Sequence, residues 1–321
     1  MVSAVGRIYG ERSRTMVIVG KRRRFFENFT AFRLCHHELG PGLTVDYYGG
    51  YLLFTYYQNF PSNRLGAIAA DFVQALRQFE LPFHGAAEKF RPENLSHVVD
   101  DKRSEIYHPQ ALIGELPPAR FIINENDLQF VVSFHTGFST GLFLDIKDAR
   151  QLVRQMVQPG ATVLNLFSYT GGFSIAAAKA GAGRIIEVDT GAKWLGWAQE
   201  NQHLNAVTVV RQRREDAVQF LHKQKNAAFD WIICDPPTYS TQKSGARFTI
   251  EKSYQTMRAD FARVLRPQGH LLACTNYRGL TSKRFFGLLA PEFKLLQEVP
   301  ISEDFAEADY LKVGLLRKRA E

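Results

Sequence analysis

The pattern of hydrophobic and polar positions changes near residue 140. Before it, two pairs of strand-like runs flank turn residues, which is typical of β-hairpins. The runs and their turns are 43–46 with 51–56 around Gly49-Gly50, and 121–123 with 128–132 around 124–127. Between the hairpins, apolar residues recur at helical spacing over 64–79, and 81–118 reads as irregular. The pattern predicts a small α+β domain over residues 31–138.

After residue 140, strand-like runs alternate with runs of helical spacing. The predicted strands are 162–167, 184–188, 207–211, 231–234 and 270–275, and the predicted helices are 173–180, 193–204, 217–223, 250–265 and 283–289. Repeated βα units imply a parallel sheet covered on both faces. Two last runs, 293–299 and 310–317, have no helix between them and should form an antiparallel edge. The fold class is therefore α/β, with a mostly parallel Rossmann-like sheet over residues 139–321.

Composition restricts the class of protein further. The chain has 321 residues and is 45% hydrophobic, which suits about two globular domains. It holds no apolar run of about 18 residues and no secretory signal, so we expect no membrane span. Cys35, Cys234 and Cys274 are far apart, which indicates neither a disulfide framework nor a metal site and favours a cytoplasmic setting. We also expect no metal at residues 35–38, because adjacent His residues do not share a face in the usual ligand spacing.

Positive charge is concentrated at the N-terminus. The net charge is +8, and residues 1–35 carry eight Arg and Lys against two Glu. We interpret residues 1–30 as a basic arm, and such a cluster suits a polyanion such as RNA. A solvated basic surface without a specific partner would show the same composition. The candidate substrate contacts in the arm are Lys21, Arg22, Arg23 and Arg24.

A glycine-containing turn follows the first strand of the predicted parallel sheet. In open α/β sheets, ligands bind at the carboxyl ends of the strands. Residues 167–172 read Phe-Ser-Tyr-Thr-Gly-Gly, and the glycines allow the backbone to approach a ligand closely. This is not the full G-x-G-x-x-G that a pyrophosphate requires. The turn therefore suits a ligand without phosphate, such as S-adenosylmethionine, although a plain turn would read the same.

Acidic residues follow the next two strands. Asp189 ends the second strand, where a carboxylate can accept both ribose hydroxyls. Asp216 follows the third strand and could accept the adenine amino group. Each could instead cap the helix that comes after it, and for Asp216 the two roles are compatible.

The most specific motif follows the fourth strand, where the chain reads Asp235-Pro236-Pro237-Thr238-Tyr239. Two prolines stiffen the backbone beyond the strand. Asp235 and the fixed carbonyl groups would then face the point where a methyl donor and an acceptor base meet. An aromatic side chain such as that of Tyr239 can stack on a flipped base.

Together these motifs resemble the S-adenosylmethionine-dependent methyltransferases of large-subunit (23S) ribosomal RNA, the family of the 5-methylcytosine and 7-methylguanine enzymes. The matching stretches are 32–34, 40–49, 140–145, 148–150, 167–172, Asp189, Asp216, 235–237 and 310–314. The resemblance implies a class I methyltransferase that binds S-adenosylmethionine and acts on RNA, either naked or in a ribosomal precursor particle. The implied cofactor contacts are Asp145, Phe167, Ser168, Tyr169, Gly171, Gly172, Asp189, Asp216 and Asp235.

The chain departs from this family in two respects. We expect no PUA-type RNA-binding domain at the N-terminus, so either the basic arm would take its place or the mode of RNA binding would differ. In the cytosine-modifying relatives, a cysteine just after the fifth strand adds to the base. Here Asn276 takes that position, and Cys274 lies two residues earlier.

The sequence around Asn276 and Arg278 resembles the guanine-N7 enzymes of this family more than the cytosine-C5 enzymes. In guanine, the N7 ring nitrogen is already a nucleophile. Asn276 would then hydrogen-bond the base edge, with Arg278 nearby, and alignment would drive direct transfer. Three alternatives stay open: a cytosine-C5 enzyme that uses Cys274, a nicotinamide oxidoreductase, and a non-catalytic RNA-binding protein that kept the fold. Whether the chain is a monomer or a homodimer also stays open.

Overall fold

The computed structural model describes residues 14–57, 62–91, 108–137, 139–237, 250–305 and 310–320. The chain forms two compact units: Met1–Leu144 with Glu303–Ala306, and Asp145–Ser302 with Glu307–Glu321. Across the described ranges, no helix is both long and apolar enough to cross a membrane.

The first unit is an α+β fold built on a five-stranded sheet. Its strands are β1 Ala31–His36, β2 Leu43–Tyr48, β3 Tyr51–Tyr56, β4 Gly85–Phe90 and β5 Gln110–Gly114, in that spatial order. A separate hairpin consists of β6 Phe121–Glu125 and β7 Leu128–Val132, and the helices are α1 (residues 14–21) and α2 Ser62–Gln78. Both predicted hairpins are confirmed by antiparallel pairing, and the helix predicted at 64–79 corresponds to α2.

The prediction of an irregular stretch at 81–118 was wrong, because β4 and β5 lie inside it. Strand β4 reads GAAEKF, which lacks the β-branched residues that usually reveal a strand. It pairs in parallel with β3, so its place in the sheet depends on the crossover through α2. Tertiary pairing thus forms a strand that local propensity does not predict.

Residues 14–30, which we interpreted as part of a basic arm, contribute to the core of the first unit. Ile18, Val19 and Phe25 are buried in one cluster with side chains of the sheet and of α2. Arg22 is buried beside them. Residues 1–13 of the proposed arm lie outside the described residues.

A largely buried charge network joins Arg22 and Arg33 to residues 304–305. The Nη2 group of Arg22 lies 2.6 Å from Oε1 of Glu38. The backbone N–H of Arg33 donates to Asp304 Oδ2 at 2.9 Å, and its guanidinium group contacts both carboxylate oxygens of Asp46 at 2.8 and 3.0 Å. The same guanidinium group lies over the ring of Phe305, 4.2 Å from the centroid. This segment near the C-terminus is therefore an integral part of the first unit.

The second unit is a seven-stranded sheet flanked by helices. Its strands are β8 Thr162–Leu166, β9 Arg184–Asp189, β10 Val210–Arg214, β11 Phe229–Cys234, β12 Leu265–Thr275, β13 Phe293–Val299 and β14 Lys312–Lys318. Its helices are α3 Lys147–Met156, α4 Gly172–Lys179, α5 Ala192–Leu204, α6 Ala217–His222, α7 Ile250–Val264 and α8 Ser282–Gly287. The strand order is β10-β9-β8-β11-β12-β14-β13.

The pairing directions confirm the predicted α/β class. Strands β8 to β12 pair in parallel, whereas β14 is antiparallel to both β12 and β13. The last two strands are thus the expected antiparallel edge. The strand predicted at 207–211 was wrong by three residues, because β10 is an Arg-rich edge strand without an apolar pattern. Helix α3 was not predicted.

The buried ion pair of Arg22 gives a first prediction. In Arg22→Ala, the partly exposed carboxylate of Glu38 loses its cationic partner and keeps a hydrogen bond from the N–H of His36. Loss of a hydrogen bond to a charged group costs about 1.5–3 kcal/mol of unfolding free energy. We expect that loss in urea denaturation. Arg23→Ala, at an exposed neighbour, should change the free energy by less than about 0.5 kcal/mol. Equal stability of the two variants would contradict the structural role of Arg22.

Candidate active site

A tight turn at residues 167–172, here called the glycine turn, connects the end of β8 to helix α4. Phe167, Tyr169 and Gly171 all have positive φ angles, of 58°, 48° and 80°. A Cβ atom at Gly171 would lie 3.1 Å from Cβ of Ala198 and 3.2 Å from Oε2 of Glu187. The left-handed backbone and the close packing together favour glycine at this position. Gly172, at the start of α4, is partly exposed and has no side chain, so a ligand can approach the backbone closely there.

Asp189 lies directly beside this turn, at the end of β9. Its Oδ2 atom accepts a hydrogen bond from the N–H of Tyr169 at 2.9 Å, and its Oδ1 atom accepts one from the N–H of Gly191 at 2.8 Å. Each carboxylate oxygen has further acceptor capacity, and the side chain is partly exposed. Asp189 thus holds the turn and still presents acceptors at the sheet edge.

Asp216 occupies the N-cap position of α6. Its Oδ1 atom accepts a hydrogen bond from the N–H of Gln219 at 3.0 Å. The capping role considered from the sequence is therefore present. Its contact with a ligand stays a prediction.

A buried polar network supports the glycine turn from within the unit, and no local pattern of residues predicts it. Oε1 of Glu187 accepts hydrogen bonds from the amide groups of Gln202 and Gln212, both at 2.7 Å. The amide group of Asn201 donates to the carbonyl oxygen of Thr170 at 2.9 Å. Burial raises the pKa of Glu187. These bonds fix the turn to β9, β10 and α5.

Asp235, Pro236 and Pro237 follow β11 at the same edge of the sheet. Burial and, to a smaller extent, the negative charge of Asp145 raise the pKa of Asp235 to about 7, although the positive charge of Arg150 opposes the shift. Pro236 is buried and Pro237 is exposed. Thr238 and Tyr239 lie outside the described residues. The motif therefore provides an acidic group that titrates near neutral pH.

Tyr310 connects the antiparallel edge of the sheet to Asp145, whose charge acts on Asp235. Its hydroxyl group donates to Oδ2 of Asp145 at 2.8 Å, and the guanidinium group of Arg278 lies 5.2 Å from the centroid of its ring. Tyr310 reaches this position because Lys312, at the start of β14, pairs with Thr275 at the end of β12. The sequence placed Tyr310 in a matching stretch but not among the site residues.

The residues at the end of β12 and those just after it differ sharply in exposure. Asn276 and Arg278 are exposed. Cys274 is fully buried, and burial together with the charge of Asp235 raises the pKa of its thiol well above the usual value. A buried thiol with a raised pKa is a poor nucleophile.

Tyr254 of α7 joins the ends of the two strands that carry these motifs. Its hydroxyl oxygen lies 2.9 Å from the carbonyl oxygen of Cys234 and 2.8 Å from that of Cys274. It also accepts a hydrogen bond from the N–H of Cys274 at 3.1 Å. Cys234 directly precedes Asp235, so this buried hydroxyl group holds the ends of β11 and β12 together.

The predicted RNA contacts near the N-terminus belong to the first unit. Lys21, Arg23 and Arg24 are exposed, and Arg24 forms an ion pair with Glu303. The buried Arg22 is engaged within the fold, as described above. Over the described ranges, no group of three or more His, Cys, Asp or Glu residues could hold a metal ion.

The strand order, the antiparallel edge, the glycine turn and the acids at the strand ends together define a class I methyltransferase. A family model described as S-adenosylmethionine-dependent methyltransferase matches residues 23–307. The chain therefore belongs to the S-adenosylmethionine-dependent methyltransferases.

Several proteins named as ribosomal RNA methyltransferases are similar to the chain in sequence. The chain is 32% identical to a Bacillus subtilis protein named "Putative ribosomal RNA large subunit methyltransferase YwbD", and the match covers 93% of this chain and 78% of that protein. It is 30% identical to ribosomal RNA large subunit methyltransferase I of Aeromonas salmonicida, covering 97% and 79%. A crystal structure described as "a putative methyltransferase complexed with SAH" shares 27% identity and a TM-score of 0.78, covering 95% of this chain and 81% of that one.

The residues at the glycine turn fit S-adenosylmethionine as the cofactor. Ser168 has a buried hydroxyl group that finds no hydrogen-bond partner among the described residues, and buried polar groups normally have one. It lies in the same turn as the closely packed Gly171, next to the acceptors of Asp189. A ligand with both donors and acceptors suits this set.

The Tyr254 bridge gives a second prediction. Tyr254→Phe removes the hydroxyl group that donates its one proton to a buried carbonyl group and accepts from the N–H of Cys274. An unsatisfied buried group costs about 1–3 kcal/mol. We expect a loss of that size in the free energy of unfolding, measured by urea denaturation. Tyr51→Phe, at a partly exposed ring, serves as the matched control and should leave stability unchanged. A Tyr254→Phe variant as stable as the control would contradict the bridging role.

Asp235 gives a third prediction, on pH dependence. Its pKa rises from the ordinary value of 3.8 to about 7 in the folded protein. Between these values the native state binds a proton that the unfolded state has lost, so this group's contribution to stability falls as pH rises through the window. We expect the free energy of unfolding, relative to Asp235→Asn, to decrease between about pH 4 and pH 7. A relative stability that stays constant or rises over this range would contradict the raised pKa.

Proposed function

We propose that this chain methylates a base in RNA, in large-subunit ribosomal RNA, by direct transfer to a ring nitrogen such as guanine N7. The substrate class follows from the names of the relatives. The observation that carries the chemistry is the contrast at the end of β12, where Asn276 is exposed and Cys274 is buried.

When bound, S-adenosylmethionine supplies a methyl group on a positively charged sulfur. The guanine N7 lone pair would form the new bond to the methyl carbon while the carbon–sulfur bond breaks. N7 carries no proton to remove, so the protein needs no covalent catalyst. It has to align the base and exclude water. The backbone at Pro236 and Pro237 and the side chain of Asn276 are the proposed positioning groups.

The acidic groups around Asp235 suit the charge that this transfer creates. A base methylated at N7 becomes positively charged. A carboxylate close to the developing charge stabilises it most effectively in a site of low dielectric constant. Asp235 and Asp145 are near enough for their charges to interact, and Tyr310 holds Asp145 by its hydroxyl group. We propose that these groups favour the cationic product.

The cytosine-C5 alternative requires a thiolate at Cys274. That thiol is buried beneath the strand end, and its pKa is raised well above the usual value. Forming the thiolate there would require both deprotonation and a movement of the strand. The geometry therefore favours direct transfer over covalent catalysis.

RNA binding in this proposal uses exposed cations at the start of the chain. Lys21 and Arg23 present positive charge, which attracts phosphate groups. Arg24 is also exposed, and its charge is shared with Glu303 until RNA displaces that carboxylate. Arg278, exposed after β12, is proposed to contact the RNA near the target base. A cytoplasmic location, where reduced cysteines persist, belongs to the same proposal and agrees with three free thiols.

A methylation assay tests this function and its chemistry. Radiolabelled S-adenosylmethionine is incubated with the protein and with large-subunit ribosomal RNA that lacks the modification, as naked RNA and as precursor particles. Mass spectrometry of the digested nucleosides then identifies the product. We expect 7-methylguanosine, with Cys274→Ser active and Asn276→Ala reduced about tenfold or more, since lost alignment raises the barrier.

Other products would decide between the alternatives. Formation of 5-methylcytidine, abolished in Cys274→Ser, would replace direct transfer by the covalent route. No transfer to any RNA, despite normal binding of S-adenosylhomocysteine, would overturn the RNA substrate.

A further inference from the structure

We infer that the edge strand β10 is a second RNA-binding surface, on the methyltransferase unit itself, at which Arg211, Arg213 and Arg214 bind phosphate groups of the substrate. This inference rests on the proposed function and deepens it. It assigns substrate contacts to residues outside the basic N-terminal region.

The strand combines exposure with uncompensated charge. All three arginines are exposed. In the part of the chain that the structure describes, the guanidinium group of Arg213 donates to the carbonyl oxygen of Gln212 at 3.4 Å, and that of Arg214 donates to the carbonyl oxygen of Thr190 at 3.3 Å. Among the described residues, no carboxylate forms an ion pair with any of the three. Their positive charge is therefore available to an external anion.

The next acidic residue along the chain does not neutralise this surface. Glu215 forms an ion pair with Lys223. The carboxylate of Glu215 is thus neutralised by Lys223, and the surface formed by the three arginines keeps its positive charge.

The opposite edge of the same sheet shows that protection of the edge does not explain this pattern. Charged side chains on an edge strand hinder pairing with other proteins, and a single charge can serve that purpose. Strand β13 carries one exposed cation and one exposed anion, Lys294 and Glu298. Strand β10 carries three cations within five residues and no acid. The excess charge on one edge alone indicates an anionic ligand.

Strand geometry spaces the guanidinium groups along the edge. Arg211 and Arg213 project from the same side of the strand, about 6.6 Å apart along it, and Arg214 projects from the other side. Gln212 fixes the strand because its amide group donates to the carbonyl oxygen of Leu195 at 2.7 Å. A guanidinium group binds phosphate through two parallel hydrogen bonds. A rigid strand with spaced arginines therefore suits successive phosphates of one RNA strand.

The position of β10 suits an RNA whose target base reaches Asp235. The sheet order places β10 three strands from β11, which corresponds to about 14 Å. A few nucleotides span that distance. The arginines would thus bind RNA that flanks the target base, on the side of the sheet that also holds Asp189.

Binding of fluorescein-labelled oligouridine, followed by fluorescence anisotropy, tests this inference, because phosphate contacts do not depend on base sequence. The triple variant Arg211→Gln, Arg213→Gln, Arg214→Gln should weaken binding about tenfold or more. It should also flatten the plot of log affinity against log salt by about 2, since each lost phosphate contact on a single strand removes about 0.7.

Two control variants test whether a loss of RNA affinity comes from the β10 surface itself, rather than from a lower total charge or from misfolding. Replacing the same three arginines by lysine keeps the charge and should retain most of the affinity. Replacing the exposed residues Lys283, Lys294 and Arg319 by glutamine removes equal charge near the opposite edge, and we expect little change in affinity. Equal weakening at both edges, or no weakening in the β10 variant, would overturn the inference.

Titration with S-adenosylhomocysteine distinguishes this inference from the proposed function. If the β10 triple variant keeps native affinity for both RNA and S-adenosylhomocysteine, then β10 is not an RNA-binding surface. The proposed methyltransferase function would be unaffected by that result. A native protein that binds S-adenosylhomocysteine but no oligouridine also overturns the surface. Loss of oligouridine binding with intact S-adenosylhomocysteine binding is the outcome that supports it.

Discussion

Parallel pairing of strands β8 to β12 is the constraint on which the rest of the second unit depends. Parallel strands place all their carboxyl ends at one edge of the sheet. The glycine turn, Asp189 and Asp235 each follow a different strand, and only this pairing brings them together. The antiparallel strand β14 then adds Tyr310 to the same edge, because its direction is reversed.

Local signals in the sequence were sufficient for the elements with strong turns or long periodicity. Gly49-Gly50 has the positive φ angles that its hairpin needs, and α2 has a regular apolar face. Local signals were insufficient for strands whose formation depends on pairing with residues distant in sequence. Strand β4 is rich in alanine and forms only because α2 returns the chain to β3. Strand β10 lies at an edge, so burial imposes no apolar pattern on it.

In the candidate site too, residues with a local sequence signal could be predicted, and residues whose roles depend on distant contacts could not. Asp189 and Asp235-Pro236-Pro237 could be predicted because each follows a recognisable strand. Glu187, Tyr254 and Tyr310 could not, because their roles come from bonds to residues distant in sequence, such as the 2.8 Å contact between Tyr310 and Asp145. Arg22 was interpreted as a substrate contact from charge alone, whereas its buried ion pair depends on the folded first unit. Composition indicates charge but not whether that charge is already paired.

Calorimetric titration with S-adenosylhomocysteine, on the native protein and on Asp189→Ala, tests most directly whether this edge of the sheet is the cofactor site. The account predicts micromolar binding that weakens about tenfold or more in the variant, since a hydrogen bond to a charged group contributes about 1.5–3 kcal/mol. Asp189→Asn, which keeps an acceptor for the N–H of Tyr169, separates loss of ligand contact from distortion of the turn. Glu298→Ala, on the far edge strand, should bind like the native protein. Absence of binding to the native protein, or equal affinity in Asp189→Ala, would contradict the account.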